Sequence, residues 1–275
     1  MTTHQFPVVL TTTGASNEDV VSDNVSVVNE MYLAHLNEDE IAPNALRSYF
    51  VDFYLTSALD GGFAQYAFMT PDRDELDGYI REGLSAMGAI KHLDLFNRTA
   101  ALYDLLSEQE LEAYLDDEAA PERSESVAAM ESLDSEFEEL FEDEDVTGLN
   151  AAWLIGQAGL LVLDPAALAA HIAHRVALIP DLAERQAEAA RENAPEFELI
   201  IRELCSVSGH ELAKITLGDP NHEHNGETVL AWHFMTDKGE FIMIEDDLEA
   251  AMIDARTQEV VARVEFDPAD DFAGA

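Results

Sequence analysis

The residues from Arg47 to Met69 read RSYFVDFYLTSALDGGFAQYAFM, and they decide the architecture of the first half of the chain. Before the first glycine, aromatic and apolar side chains recur at steps of three and four residues, which predicts a helix with one wide apolar face. Gly61 predicts a left-handed end to that helix and Gly62 a tight reversal, because glycine adopts such backbone angles without strain. A second short helix then returns its aromatic rings to the first. These rings are Phe63, Tyr66 and Phe68.

The pattern around this stretch predicts an all-helical domain at residues 23–160, preceded by an extended arm at residues 1–22. The arm is predicted from the β-branched run PVVLTTT. Asp23 is predicted to cap the first helix, and the apolar recurrence predicts further helices, the last at residues 149–163. We therefore expect the arm to supply the only strand of this domain.

Residues 161–275 predict a smaller α+β domain. Three helical segments come first, and near Leu212 the hydrophobic period changes from 3.6 residues to two. Five strand-like segments follow, and Asp237-Lys238-Gly239 is typical of a hairpin connection. The predicted fold class is α+β, with the three helices covering one face of a four- or five-stranded antiparallel sheet.

The charge of the chain is strongly negative, with 57 acidic against 14 basic side chains and a formal net charge of −43. A field of this sign repels nucleic acid and anionic membranes, and it attracts basic proteins and cations. The hydrophobic share of 47% argues against disorder. Because Cys205 is alone and no apolar run is long enough to cross a bilayer, we expect a soluble cytoplasmic protein.

The acidic residues concentrate between Asp104 and Asp145, where 18 carboxylates accompany one basic residue, Arg123. Apolar side chains recur at helical spacing within this segment, which predicts a folded acidic face rather than a flexible tail. Like charges four apart, such as Glu138 and Glu142, weaken a helix by roughly 0.2–0.5 kcal/mol per pair, so packing or a cationic partner must offset them. The predicted partner-binding face consists of Asp116, Asp117, Glu118, Glu131, Asp134, Glu136, Glu138, Glu139, Glu142, Asp143, Glu144 and Asp145.

Two explanations of this acidity follow from the residues. In the first, the carboxylates imitate the spaced phosphates of a DNA duplex and bind a basic protein. In the second, the charge serves only solubility or salt adaptation across a whole proteome, which the scarcity of lysine also fits. The lysines are Lys91, Lys214 and Lys238.

Three ordered motifs resemble the signature of the DNA-mimic protein family, a group of acidic, mainly helical bacterial proteins also catalogued as a domain of unknown function. They are VNEMY at residues 28–32, RSYFVDFY at residues 47–54 and DGGFAQY at residues 60–66. The resemblance covers about residues 20–155 and does not extend to the C-terminal half. Asp60 stands where the family usually has asparagine, a change that touches the turn and leaves the acidic face intact.

The resemblance implies a helical, often dimeric domain. In the studied member, carboxylates face the DNA-binding surface of a helix-turn-helix repressor and compete with DNA. We therefore expect a basic partner of that class, a role in transcription regulation and a homodimer. The motif residues are predicted to be structural, with Asp52 bonded to the backbone of the glycine turn. They are Asp52, Tyr54, Gly61, Gly62, Phe63 and Gln65.

Other chemistry has little support in the sequence. His222 and His224 lie near Asp219 in a segment predicted to be a loop, and imidazoles with a carboxylate are potential metal ligands. Neighbouring loop residues rarely converge, so we predict no metal site, no cofactor and no catalytic residue. The alternative is an enzymatic or small-ligand pocket between the sheet and the helices of the C-terminal domain.

Overall fold

A computed structural model describes residues 6–14, 16–115, 124–224, 226–246 and 249–265, except the side chains of Glu142 and Glu192. The chain is α+β, as predicted, with helices in its N-terminal part and a five-stranded antiparallel sheet near the C-terminus. Its contacts divide it into two units, Met1–Leu182 and Ala183–Ala275.

The first unit is mainly helical. Its helices are α1 (Asn17–Leu33), α2 (Pro43–Met69), α3 (Asp74–Met87), α4 (Ile90–Tyr103), α5 (Glu108–Leu115), α6 (Glu125–Asp143), α7 (Val146–Ile155) and α8 (Pro165–Val176). A 3-10 turn at Glu38–Glu40 precedes α2, and strand β1 (Val9–Leu10) pairs in parallel with β2 (Leu161–Val162). The expectation of one strand here is wrong, because α7 ends early and the chain after it pairs with the arm.

The first helix begins earlier than predicted, so the extended arm is shorter. Ser16 caps α1 by accepting a hydrogen bond from the backbone N–H of Asp19 at 3.1 Å. Asp23 therefore lies inside α1 and does not cap it. Its carboxylate accepts hydrogen bonds from the backbone N–H of Thr11, at 2.6 Å, and from the Thr11 hydroxyl. Asp23 thus ties the arm to α1.

Helix α2 is broken at the glycine pair, as predicted. Gly61 has φ −159° and ψ 35°, whereas Gly62 has φ 67° and ψ −167°. The left-handed residue is thus Gly62, and the assignment of that role to Gly61 is wrong. The kink separates two segments of α2, and aromatic rings on either side of it, such as those of Tyr54 and Tyr66, contact each other.

The two segments of α2 form an aromatic core. The Tyr54 ring lies 6.5 Å from that of Phe63 and 5.4 Å from that of Tyr66, and all three side chains are buried. Phe96 of α4 joins them, with its ring centroid 4.8 Å from Tyr54. The prediction that Phe68 belongs to this cluster is wrong, because Phe68 is 66% exposed.

An ion-pair network centred on the buried Asp77 and Arg73 connects the second segment of α2 to α3 and α4. Asp77 accepts hydrogen bonds from the Tyr66 hydroxyl at 2.7 Å, from Arg73 and from Arg81 at 3.1 Å. Arg73 also pairs with Asp104, which ends α4. Burial raises the pKa of Asp77 above its ordinary value, although these partners oppose the shift.

Helix α8 belongs to the first unit. Asp164 caps it by accepting the Ala167 N–H at 2.8 Å, with Pro165 in the first turn. Leu168 and Ile172 are buried in the core that α1 and α2 share. The sequence places this helix in the sheet domain, beyond a boundary at residue 160, whereas the contacts divide the chain after residue 182.

The second unit is built on one antiparallel sheet. Its elements are α9 (Leu182–Glu192), which begins at the boundary, α10 (Glu196–Ser208), β3 (Leu212–His224), β4 (Glu227–Thr236), β5 (Gly239–Asp246), β6 (Glu249–Asp254) and β7 (Val260–Glu265). The strands pair in sequential order, each with the next along the chain. None of the helices in the described ranges has the length and apolar character needed to cross a lipid bilayer.

Helix α10 packs against one face of this sheet. Ile201 and Leu204 of the helix meet Phe234, Met243 and Met252 of the strands, and each of these side chains is at most 1% exposed. The prediction that three helices cover this face is wrong, because α8 packs in the first unit. The second face carries a separate apolar cluster that includes Ala231 and Ile242.

Candidate protein-interaction surface

Helix α6 carries most of the predicted acidic face. Ser124 caps it, accepting the Val127 N–H at 3.2 Å, and Met130 and Phe137 are buried on its inner side. Phe137 reaches the aromatic core, with its ring centroid 5.7 Å from that of Tyr54. The predicted site residues Asp116, Asp117 and Glu118 lie outside the described residues, as does the side chain of Glu142.

Asp134 anchors the glycine turn instead of facing a partner. Its carboxylate accepts hydrogen bonds from the backbone N–H of Phe63 and from the Tyr114 hydroxyl, both at 2.8 Å. A Cβ added to Gly62 would lie 2.8 Å from the Asp134 Cγ, so the turn and the carboxylate fit closely. Burial raises the pKa of Asp134. Asp134 therefore has the structural role that the sequence assigns to Asp52.

Asp52 lies elsewhere, in a pocket of about 320 Å³ that Leu55, Leu59 and Phe141 help to line. Its side chain makes no hydrogen bond to the part of the chain that the structure describes, so the predicted bond to the glycine turn is wrong. Burial raises the pKa of Asp52. Gln65 packs over the turn, where a Cβ on Gly61 would lie 3.0 Å from the Gln65 Cβ.

Three carboxylates at the end of α6 hold neighbouring helices. Asp143 pairs with Lys91, and Glu144 accepts hydrogen bonds from the His92 backbone N–H at 3.0 Å and contacts His92 Nδ1 at 2.8 Å. Burial alone would raise the pKa of Glu144, but its hydrogen bonds outweigh burial and lower it. Asp145 caps α7. These side chains thus connect α6 to the starts of α4 and α7.

The rest of the predicted face divides into paired and unpaired carboxylates. Glu136 pairs with Arg98, with Nη1 and Oε2 3.0 Å apart, and this hydrogen bond lowers the pKa of Glu136. Glu131 is partly buried. Glu138 and Glu139 are exposed, and neither forms an ion pair with another described residue. These two remain available to a cationic partner.

A second acidic group surrounds the 3-10 turn. Glu38, Asp39 and Glu75 line a concave pocket of about 430 Å³ together with the rings of Tyr32 and Tyr79. Burial, and then the charges of Glu75 and Asp39, raise the pKa of Glu38. Within the described ranges, no lysine or arginine pairs with these three carboxylates. We refer to this set of five residues as the acidic pocket.

The sequence carries a partial signal for the acidic pocket. The run Glu38-Asp39-Glu40 is visible in the sequence, but Glu75 comes from the start of α3 and joins the run only through the fold. The hydroxyl of Tyr32 is buried, and it has no hydrogen-bond partner among the described residues.

The structure separates the two weak metal candidates. His222 lies close to Asp219 and to His233, and one ligand atom from each of the three lies within 4.8 Å of the others. His224 is not part of this group. The predicted loop is in fact the end of β3, and His233 comes from β4. The sequence spacing does not reveal His233 as a neighbour, because strand pairing brings it there.

Among known proteins, the chain matches one family model. No curated protein and no solved structure matches the chain. A family model matches a continuous segment that contains α2 to α7, and therefore the glycine turn and α6. The match begins after the VNEMY motif, which lies in α1, so it starts later than the predicted range. Residues 39–157 are similar to the family described as DMP19-like protein.

Proposed function

We propose that the first unit is a non-enzymatic interaction module that binds a basic protein, such as a helix-turn-helix DNA-binding protein, by presenting carboxylates as a DNA mimic. The observation that carries the proposal is the acidic pocket, whose carboxylates lie beside one another with no cation to offset them in the described residues. The DMP19-like match supports the same role, because that family is one of DNA mimics.

The chemistry of the acidic pocket suits a basic side chain. An arginine guanidinium forms strong hydrogen bonds with carboxylates and stacks on aromatic rings, and this pocket offers both groups. A bound cation would offset the repulsion that Glu75 and Asp39 exert on Glu38. The exposed Glu138 and Glu139 would add attraction at longer range, and both effects weaken as salt screens the charges.

The proposal predicts three properties of the partner. It should be captured by the full chain at low salt and released at high salt, it should bind DNA, and the chain should displace that DNA in a gel-shift assay. Light scattering of the chain alone tests the expected homodimer. Captured proteins that bind no DNA, or a complex indifferent to salt, would contradict the proposal.

Substitutions distinguish a specific surface from net charge. The triple variant E38Q/D39N/E75Q neutralises the carboxylates of the acidic pocket, and the double variant E138Q/E139Q neutralises the two exposed carboxylates of α6. An exposed ion pair contributes roughly 0.2–1 kcal/mol, so three lost pairs should weaken binding by about 3- to 150-fold. The matched control is E211Q/E227Q/E259Q, which removes three exposed charges from the second unit. Equal losses in the two triple variants would show that only net charge matters.

The alternative of a ligand pocket between α10 and the sheet receives no support from the packing there. That interface is filled by apolar side chains such as Leu204, Phe234 and Met243, which are at most 1% exposed. A binding pocket requires convergent polar groups around a cavity, and these side chains supply none.

A further inference from the structure

A group of two histidines and one aspartate lies on the sheet of the second unit. Asp219 and His222 belong to β3 and His233 to β4. One ligand atom from each lies within 4.8 Å of the other two, and the two imidazole centroids are 5.7 Å apart. All three side chains are partly buried. No position of this group lies in the first unit, so the inference is independent of the proposed function.

Strand irregularity brings Asp219 and His222 together. Residues three apart on a regular strand point to opposite faces, because side chains alternate. The β3–β4 register shifts between Asp219 and His222, and such a bulge turns the second side chain towards the face of the first. The bulge thus places Asp219 and His222 on the same face of the sheet, which a spacing of three residues on a regular strand would not do.

Strand pairing adds His233. Asp219 lies opposite Ala231, so His233 is its diagonal neighbour two residues along β4. Ala231 belongs to the apolar cluster on the sheet face that α10 does not occupy, whereas Phe234 packs with α10. Because residues 231 and 233 share a face, His233 also lies on the face opposite α10.

The polar atoms of this group have few protein partners. Asp219 Oδ1 accepts the Asn221 N–H at 3.0 Å, which orients the carboxylate. The ring nitrogens of His222 and His233 form no hydrogen bond with any residue in the described ranges. Two imidazoles with unused nitrogen atoms, beside an oriented carboxylate, are a ligand set for a metal ion.

We propose that Asp219, His222 and His233 bind a divalent transition-metal ion, with Zn²⁺ as the best match. Two nitrogen ligands and one oxygen ligand suit Zn²⁺, which takes three protein ligands and keeps one position for water in open sites. Ligand atoms of a tetrahedral zinc site lie about 3.3 Å apart, so small side-chain rotations would close this group around the ion. Ca²⁺ and Mg²⁺ prefer oxygen ligands and fit less well.

The test must separate this site from the general attraction of a chain with net charge −43. Zn²⁺ binding to the full chain is therefore measured by calorimetry in a large excess of Ca²⁺, which occupies sites made of carboxylates alone. We expect one Zn²⁺ per chain that Ca²⁺ does not displace. Co²⁺ provides a second readout, because its visible absorption reports nitrogen ligation and coordination number.

Variants identify the ligands. H222A and H233A should each weaken Zn²⁺ binding by at least about 100-fold, since loss of a partner outside the ligand shell already costs about 10- to 100-fold. The matched control is H224A, on the same strand but outside the group, and it should bind as the wild type does. D219N keeps the size of the side chain. It replaces H233A as the test variant if circular dichroism shows that H233A fails to fold.

Two results would overturn the proposal. The first is wild-type Zn²⁺ binding that disappears in excess Ca²⁺, which would indicate carboxylate sites only. The second is an equal loss in H224A and H222A, which would indicate histidine binding without a defined site.

Discussion

Replacement of Gly62 by alanine should destabilise the first unit more than its backbone conformation alone explains. Gly62 has φ 67° and ψ −167°, a region that only glycine adopts readily, and forcing another residue into it costs about 1–3 kcal/mol. The new Cβ would also lie 2.8 Å from the Asp134 Cγ. If Asp134 moves away, the Phe63 N–H loses its charged acceptor, at a cost of about 1.5–3 kcal/mol. The expected total is about 2.5–6 kcal/mol.

Two controls divide this total into its parts. G88A also places alanine at a positive φ, 86°, but its Cβ has no atom within 4 Å, so it should cost only about 1–2 kcal/mol. D134A removes the carboxylate that the new Cβ approaches. In the D134A background, G62A should therefore cost only its backbone part, and the double-mutant cycle should show coupling of about 1.5–3 kcal/mol.

The assay must observe the first unit alone. Trp153 packs on the core of that unit, whereas Trp232 stacks on Phe197 in the second, with ring centroids 3.6 Å apart. Urea unfolding is therefore followed by Trp153 fluorescence with W232F as the common background. A G62A cost no larger than that of G88A, or one that is the same with and without Asp134, would refute this explanation.

Two further predictions concern pH and salt. His92 is 1% exposed, and burial lowers its pKa in the folded protein. As pH falls through about 6.5, the imidazole is therefore protonated in the unfolded chain before it is protonated in the folded one, and stability decreases. Urea unfolding of the wild type and of H92Q is therefore compared across pH. Below about pH 6.5, the free energy of unfolding of the wild type minus that of H92Q should fall by up to about 1.4 kcal/mol per pH unit. A difference that does not change with pH would contradict a lowered pKa of His92. The net charge of −43 also predicts that the free energy of unfolding rises when NaCl is increased from about 0.05 to 1 M, because salt screens the self-repulsion. A free energy of unfolding that does not depend on salt would exclude that repulsion as a significant cost.

Local signals in the sequence predict most of the helices. Ser107 and Glu110 have the spacing of a capping box, and the Ser107 N–H donates to Glu110 Oε2 at 3.0 Å. Gly209 ends α10 in the left-handed conformation that glycine at a helix C-terminus favours. Such caps involve residues within one turn of each other, so the sequence alone contains both partners. The five strands are predictable for a similar reason, since period-two alternation is local.

The candidate sites are less predictable, because their partners are distant in the sequence. Asp134 looks like any other carboxylate of an acidic helix, yet it bonds to Phe63, 71 positions away. Glu136 resembles Glu139 in sequence, and only the approach of Arg98 from α4 distinguishes the paired carboxylate from the exposed one.

The sequence by itself determined the α+β class, the helix break at the glycine pair, the antiparallel sheet and the large negative charge, because each follows from composition or from neighbours along the chain. Only the tertiary structure decided which carboxylates are structural and which are exposed, and which histidine joins Asp219 and His222. The physical reason is that hydrogen bonds, ion pairs and metal ligation act over a few ångströms in space, and the packing of helices and the register of strands set those distances.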